Sequence, residues 1–257
     1  SMSVLNWDME TYMPKNGNRF RSQQLSTLAK IAYELETDSK YAKILEKLLL
    51  DNSLNSDQKR NVYLSNKQFL KRRRYSSSFI QRQSVLISRA FKDWRIAKEK
   101  NDFNIFRKSL EEIVNLRQEE SELLGYNFHP YDAMLDKYEP NLTTHDVDLI
   151  FDDVKKYLSP FITKIIQNNN INDSFFYQNF DKKKQWDFGI KLLKQMGYNF
   201  DSGRQDISSH PFSSHFSPED ARVTTRIDEH NLSEMIWSCI HEGGHALYEQ
   251  GLLSANY

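Results

Sequence analysis

The sequence predicts a mainly α-helical fold with a small β-sheet next to its last helix. Glycine and proline, which interrupt regular structure, are scarce, with 8 and 6 residues in a chain of 257. Long stretches repeat apolar residues every three or four positions, which is the spacing of one helix face. Between Asp220 and Asp228, apolar and polar residues alternate instead, and this pattern is typical of a strand.

The helical pattern predicts eight helices, and most of them have recognisable ends. Pro160 should kink or end the helix that contains it, because proline lacks a backbone N–H. Candidate N-caps are Asp38 or Ser39 and Ser56 or Asp57, and candidate C-terminal stops are Gly125 and Gly197. The predicted helices lie at about 19–36, 39–50, 56–75 and 78–100, from 102, from Thr143 or Thr144, and at about 182–196 and 232–250.

The alternating stretch at 220–228 needs a partner, since an isolated strand is unstable in water. We expect it to pair with a strand formed around 203–210. An edge of the strand near 221–227 also offers a place to hold the backbone of a bound peptide by strand addition.

Composition limits the classes of partner. Thirty-five basic residues balance 35 acidic ones, so no net charge attracts nucleic acid or an anionic membrane. Cys239 is the only cysteine, which excludes an internal disulfide framework and indicates a cytoplasmic protein. No apolar run reaches membrane-spanning length. The basic run 71–74 with Tyr75 is interpreted as a helix end whose cations favour the helix dipole, with phosphate or nucleic-acid binding as the alternative.

The strongest chemical signal is the sequence His241-Glu242-Gly243-Gly244-His245. Two histidines four residues apart project from one face of a helix, where both imidazoles can reach one Zn²⁺. Glu242 lies beside that face and can take a proton from the attacking water and pass it to the departing amine. The structural alternative is a pair of hydrogen-bonded core histidines on a packed helix, because the helix is apolar on much of its circumference.

Two histidines do not complete a catalytic zinc site, which normally has three protein ligands. Glu249 is excluded as the third, because it lies about 12 Å along the helix axis from His241. We therefore expect the third ligand to lie outside this chain.

Several separate segments, in order along nearly the whole chain, resemble the carboxypeptidase Taq family, the M32 metallocarboxypeptidases. Within them, the Asp220, Arg222 and Thr224 pattern is similar to the family's Asp-x-Arg-x-Thr signature. The segments are Trp7 to Pro14 with Arg19 and Gln23, Pro130 to Asp136, Tyr138 to Pro140, Gly203 to Asp206, His210-Pro211-Phe212, Asp220 to Arg226 and His241 to Gly251.

The resemblance implies a zinc- or cobalt-dependent enzyme with a helical, zincin-like, homodimeric fold that removes single residues from peptide C-termini. It makes His241 and His245 metal ligands and Glu242 the general base. It also implies that a glutamate beyond Tyr257 is the third ligand, so the chain would be one incomplete domain, over 1–257, of a larger catalytic domain. The expected cleft residues are His210, Pro211, Phe212, Asp220, Arg222 and Thr224, with a turn and an internally bridged strand as the structural alternative.

Two other functions are compatible with parts of this pattern. A helical zinc oligopeptidase shares the metal motif, and a substrate with an amidated C-terminus would distinguish it, because a carboxypeptidase needs the free carboxylate. A non-catalytic helical interaction fragment is the alternative of a different class, and a salt-dependent shift with RNA or DNA would favour it. The additional signatures at 7–14, 210–212 and 220–224 favour the carboxypeptidase.

Overall fold

The computed structural model describes residues 2–168 and 172–252, which contain ten α-helices and three β-strands. The described residues between 16 and 169 form one compact unit, and those within 1–15 and 170–257 form a second. The elements are α1 (Met2–Glu10), α2 (Asn18–Glu36), α3 (Ser39–Leu49), α4 (Ser56–Arg72), α5 (Ser77–Lys100), α6 (Asn104–Leu124), α7 (Asp132–Leu135), α8 (Thr144–Asn168), α9 (Lys182–Met196), β1 (Gln205–Ile207), β2 (Ser213–Ser217), β3 (Asp220–Thr225) and α10 (Leu232–Gln250), with short 3₁₀ turns at Lys15–Gly17, Ser174–Phe176 and Phe200–Ser202.

The first unit is entirely helical and is organised around α5, which packs against α2 on one side and α6 on the other. Tyr75 and Phe79 stack with their ring centroids 5.4 Å apart. Around them the apolar faces of the helices meet, as the three-to-four-residue spacing predicts. The buried cluster consists of Tyr75, Phe79, Ile80, Leu116, Leu124 and Ala133.

A buried carboxylate, Glu120 on α6, joins several parts of this unit. Its oxygens accept hydrogen bonds from Lys137, Arg117 and the hydroxyl of Tyr75, the last at 2.9 Å. Burial alone raises the pKa of Glu120, but the bonds from Lys137 and Arg117 outweigh burial and hold the pKa below its usual value. Glu120 is therefore charged and paired at neutral pH.

The helix ends agree with most of the predicted caps. Asp38 caps α3 by accepting a hydrogen bond from the backbone N–H of Lys40, and Gly125 and Gly197 end α6 and α9 with positive φ. The predicted cap at Ser56 or Asp57 is wrong by one or two residues. Asn55 caps α4 instead, because its side chain and that of Gln58 bond to each other's backbone N–H in a reciprocal capping box.

Helix α8 continues through Pro160 rather than ending there. None of its residues is buried, and most of its apolar side chains, among them Phe151, Leu158 and Ile165, are exposed. Among the described residues, no helix has the combination of length and low polarity that crossing a bilayer requires.

The basic run at the end of α4 is partly neutralised. Lys71 forms an ion pair with Asp136 at 2.9 Å, and Arg72 forms one with Glu36 at 2.6 Å. Tyr75 is buried and donates to Glu120, so it is not available to stack on a base. These contacts favour the helix-end interpretation of the run.

The second unit contains a three-stranded sheet in the order β1-β3-β2, with α9 and α10 packed together and α10 also against β3 and β2. The predicted partner strand is confirmed as β1, which runs parallel to β3. The hypothesis that an edge of β3 receives a substrate backbone is wrong, because β2 pairs antiparallel with its other edge. The sequence pattern also did not predict α1, of which only the last four residues, from Trp7 to Glu10, lie in the first of the signature segments.

We predict that Glu120→Gln destabilises the helical unit by roughly 1–3 kcal/mol, because Lys137 and Arg117 lose their buried partner. Glu119→Gln is the matched control, since Glu119 forms only an exposed pair with Arg82 and should cost under about 1 kcal/mol. The lowered pKa of Glu120 means that its stabilising effect is present above the pKa of an unfolded glutamate and is lost as the pH falls. Denaturant unfolding at pH 7 and pH 3 measures both effects, and equal costs for the two variants would contradict this role.

Candidate metal centre

The candidate centre lies on α10, which buries one side and exposes the other. Asn231 caps the helix by accepting a hydrogen bond from the backbone N–H of Ser233 at 3.1 Å. Met235, Cys239 and Ala246 are fully buried towards the body of the unit. Because helix positions repeat every 3.6 residues, the opposite side presents residues offset by about half a turn.

His241 and His245 are both exposed on that opposite side, so the alternative of two core histidines does not describe them. Their Nε2 atoms are 3.3 Å apart, and the two rings are inclined by 85°. Two nitrogens that bind zinc at about 2.0–2.1 Å in tetrahedral geometry lie about 3.3–3.4 Å from each other. The pair therefore fits a shared divalent cation without rearrangement, and a direct His–His hydrogen bond is the competing use of the same geometry.

Glu242 is next to His241 in sequence and lies on the side of the histidine pair that faces the interior of the unit. The residue is only 7% exposed, yet its carboxylate forms no hydrogen bond or ion pair with any described residue. The oxygens of Glu242 are not among the buried polar atoms that lack a hydrogen bond, so the carboxylate itself meets solvent while most of the residue is covered. The position suits a group that handles protons beside a metal.

No third metal ligand joins the pair from residues 2–168 or 172–252. Glu249 instead lies near His215 of β2, with 3.4 Å between Oε1 and Nδ1. The part of the chain that the structure describes therefore supplies two imidazoles and one unpaired carboxylate, with one ligand lacking.

The remaining predicted residues form internal contacts in the sheet. Arg222 binds Asp220 through two hydrogen bonds of 2.7 and 2.8 Å, and its guanidinium stacks between the rings of Trp7 and Phe216 at 4.5 and 4.9 Å. Burial is nearly complete at Thr224, which is 1% exposed.

The hydroxyl of Thr224 accepts a hydrogen bond from the backbone N–H of Phe212 at 2.9 Å and bonds to Ser208 at 2.7 Å. Ser208 in turn donates to the carbonyl of His210 at 2.6 Å, which fixes the turn that contains Pro211. These are the contacts of the scaffolding alternative, and contact with a substrate stays a prediction for all six cleft residues.

Comparison with known proteins gives the family. The model of the carboxypeptidase Taq (M32) metallopeptidases matches residues 1–257. The chain belongs to the M32 family. Carboxypeptidase 1 of Bacillus subtilis is 32% identical over 254 residues, covering 98% of this chain and 51% of that protein. Thermostable carboxypeptidase 1 of Pyrococcus furiosus is 34% identical over 252 residues, covering 97% and 50%.

Solved structures agree on the fold of this M32 chain. The crystal structure of BsuCP superposes with a TM-score of 0.95 at 32% identity, over 99% of this chain and 52% of that one. The chain therefore spans about half the length of the M32 relatives that it matches.

One cluster in this M32 chain has a structural role that the sequence did not reveal. Arg204 binds Asp206 at 2.7 Å through two nitrogens and lies over the rings of Trp7 and Tyr12 at 5.4 and 5.3 Å. The Tyr12 hydroxyl also bonds to Asp206, so α1 and the turn after it are tied to β1. The local sequence around these residues does not indicate that two segments nearly 200 positions apart are in contact.

We predict that Arg222→Lys destabilises the second unit by about 1–2 kcal/mol, because lysine loses the bidentate contact with Asp220 and the stacking between two rings. Arg226→Lys is the control, since Arg226 forms a single contact of 3.3 Å with Glu234 at a partly exposed position. Chemical denaturation of both variants measures the difference. Equal midpoints would show that stacking of the guanidinium contributes nothing.

Proposed function

We propose that the complete protein is a metallocarboxypeptidase that releases single amino acids from peptide C-termini, using zinc or cobalt. The observation that carries the proposal is the pair of exposed imidazoles with Nε2 atoms 3.3 Å apart, next to the Glu242 carboxylate, which forms no hydrogen bond or ion pair with any described residue. Membership of the M32 family and the names of the curated relatives support the same reaction.

The roles of the residues follow from chemistry and position. His241 and His245 hold the metal, and a glutamate beyond Tyr257 is the third ligand. When bound, the metal polarises the scissile carbonyl and lowers the pKa of the attacking water towards about 7. Glu242 takes the proton from that water and delivers it to the departing amine, since no other described residue binds its carboxylate.

The proposal also covers the substrate, the substrate cleft, the oligomeric state and the compartment of the complete protein. The substrates are peptides with a free C-terminal carboxylate. The turn at 210–212 and the group of Asp220, Arg222 and Thr224 contribute to the substrate cleft, at least by supporting the residues that line it. The complete protein works as a homodimer in the cytoplasm, and this chain is one incomplete part of its catalytic domain.

Glu242→Gln in the complete protein should lower kcat about 10²–10⁴-fold, because glutamine is nearly isosteric but cannot accept the proton. Metal content should stay at the level of the parent. Glu234→Gln, on the same helix but paired with Arg226, is the control and should retain activity. Steady-state hydrolysis of a short peptide, with elemental analysis of the same samples, measures both. Undiminished turnover in the Glu242 variant would remove its role as the base.

The 257-residue chain by itself should bind zinc weakly or not at all and show little or no peptidase activity, because two imidazoles are one ligand short of a catalytic site. Elemental analysis after dialysis checks this, beside a version that continues past Tyr257. One equivalent of zinc retained by the 257-residue chain would contradict the assignment of the third ligand.

A further inference from the structure

A cavity of about 760 Å³ lies in the first unit, between the end of α4 and the chain segments that follow α6. This volume is within the range of cavities that bind small molecules. The cavity brings together two features for which the proposed function gives no role: the basic run at the end of α4 and the signature segment from Pro130 to Asp136. None of its lining residues belongs to the candidate metal centre.

Three basic side chains line the cavity, and two of them have no counter-ion among the described residues. Lys71 forms an ion pair with Asp136 at 2.9 Å. The side chains of Lys67 and Arg74 form no hydrogen bond or ion pair within residues 2–168 or 172–252. These two cations are therefore available to an anion that enters the cavity.

The two carboxylates that line the cavity are already bonded to other groups. Asp132 accepts hydrogen bonds of 2.8 Å from both the backbone N–H and the hydroxyl of Thr144. Asp136 accepts one from Lys71 and another, of 3.2 Å, from the backbone N–H of Asn141. Burial raises the pKa of Asp136, but these bonds outweigh burial and keep the carboxylate charged. Three cations beside two bonded carboxylates leave the lining with a net positive charge.

The guanidinium of Arg74 lies against the end of α6. Gly125 ends this helix with a φ of +74°, and a Cβ added there would lie 3.3 Å from Nη1 of Arg74. A side chain at this position would press on the guanidinium as well as strain the backbone. The C-terminal end of α6 has only a partial negative charge, so it attracts Arg74 without neutralising it. A ligand anion would complete the pairing.

Most of the remaining lining is apolar. Leu124 is buried and Leu142 is partly buried, while the rings of Tyr126 and Phe128 are exposed, by 91% at Phe128. Such side chains bind the apolar part of a small molecule, and a few polar groups fix its orientation. An inorganic anion would use only the cations of this cavity, and a neutral apolar molecule would use only the rings and leucines.

We propose that this cavity binds small organic acids that carry one carboxylate and a large apolar or aromatic group. The carboxylate pairs with the planar guanidinium of Arg74 and with Lys67, and the apolar group packs on the rings of Tyr126 and Phe128. Free amino acids with large apolar side chains belong to this class, because Asp136 has acceptor capacity left for an ammonium group. The site does not depend on the reaction, although such amino acids are among the products of the proposed function.

Isothermal titration calorimetry of hydrocinnamate, a carboxylate with a phenyl ring, into the complete protein tests the site. We expect binding in the millimolar range or tighter, and about tenfold or more tighter than that of its amide, which lacks the charge, and of inorganic phosphate, which lacks the ring. Arg74→Gln should weaken the binding of hydrocinnamate about tenfold or more, because the bidentate partner of the carboxylate is lost. Lys67→Gln should weaken it by a smaller factor, since an ammonium pairs as a point charge.

Arg73→Gln is the matched control. It removes the same charge one position away, but Arg73 lies over the ring of Phe69 at 5.4 Å and does not line the cavity. Its affinity for hydrocinnamate should stay within about twofold of the parent. Thermal unfolding of the three variants checks that each one keeps its fold.

Each outcome decides the proposal. No binding of hydrocinnamate, or equal affinity in Arg74→Gln and the parent, would overturn it, because the ligand would then have no site or a site elsewhere. Equal affinity for the amide would remove the role of the cations, and equal affinity for phosphate would remove that of the apolar lining. A loss in Arg73→Gln as large as in Arg74→Gln would show that overall charge, rather than the cavity, attracts the ligand.

Discussion

The structure of the site depends on α10 having one buried side and one exposed side. A helix can turn two imidazoles outward, one turn apart, only if its other side is fixed well enough to stop it from rotating. Met235, Cys239 and Ala246 provide that fixed side, and Gly243 lets α9 approach closely through Leu193. The orientation of the metal ligands is therefore set by packing behind them rather than by contacts between them.

The sheet that supports α10 is itself held by long-range contacts. The guanidinium of Arg222 lies over two rings, one from β2 and the other, Trp7, from α1. Arg204, which directly precedes β1, lies over the rings of Trp7 and Tyr12. Such contacts combine charge, stacking and bidentate geometry, so they fix direction as well as distance. Three short strands by themselves form a sheet of low stability, and the contacts with α1 give the sheet further packing.

The sequence predicted most helices because apolar periodicity is a local property. It also located β1, from the need of β3 for a partner. It did not predict α1, which is short and has no clear amphipathic pattern, or β2, where Ser213 and Ser214 give little strand signal. The position of β3 in the middle of the sheet depends on β2, so the expectation of a free edge failed with it. The sequence left a kink or a helix end as the alternatives at Pro160, and in the structure α8 continues through this residue.

For the site, spacing alone was enough to place His241 and His245 on one face, but not to show that the face is open. Which side of the histidine pair is free of contacts depends on the packing of the whole unit. The sequence therefore could not show that a side chain at Gly244 would meet no other atom.

The most direct test of the metal site is anomalous scattering at the zinc edge from a crystal of the complete protein grown with zinc. The account predicts one peak about 2.0–2.1 Å from the Nε2 atoms of both His241 and His245. A peak bound elsewhere, with the two rings turned apart, would contradict it.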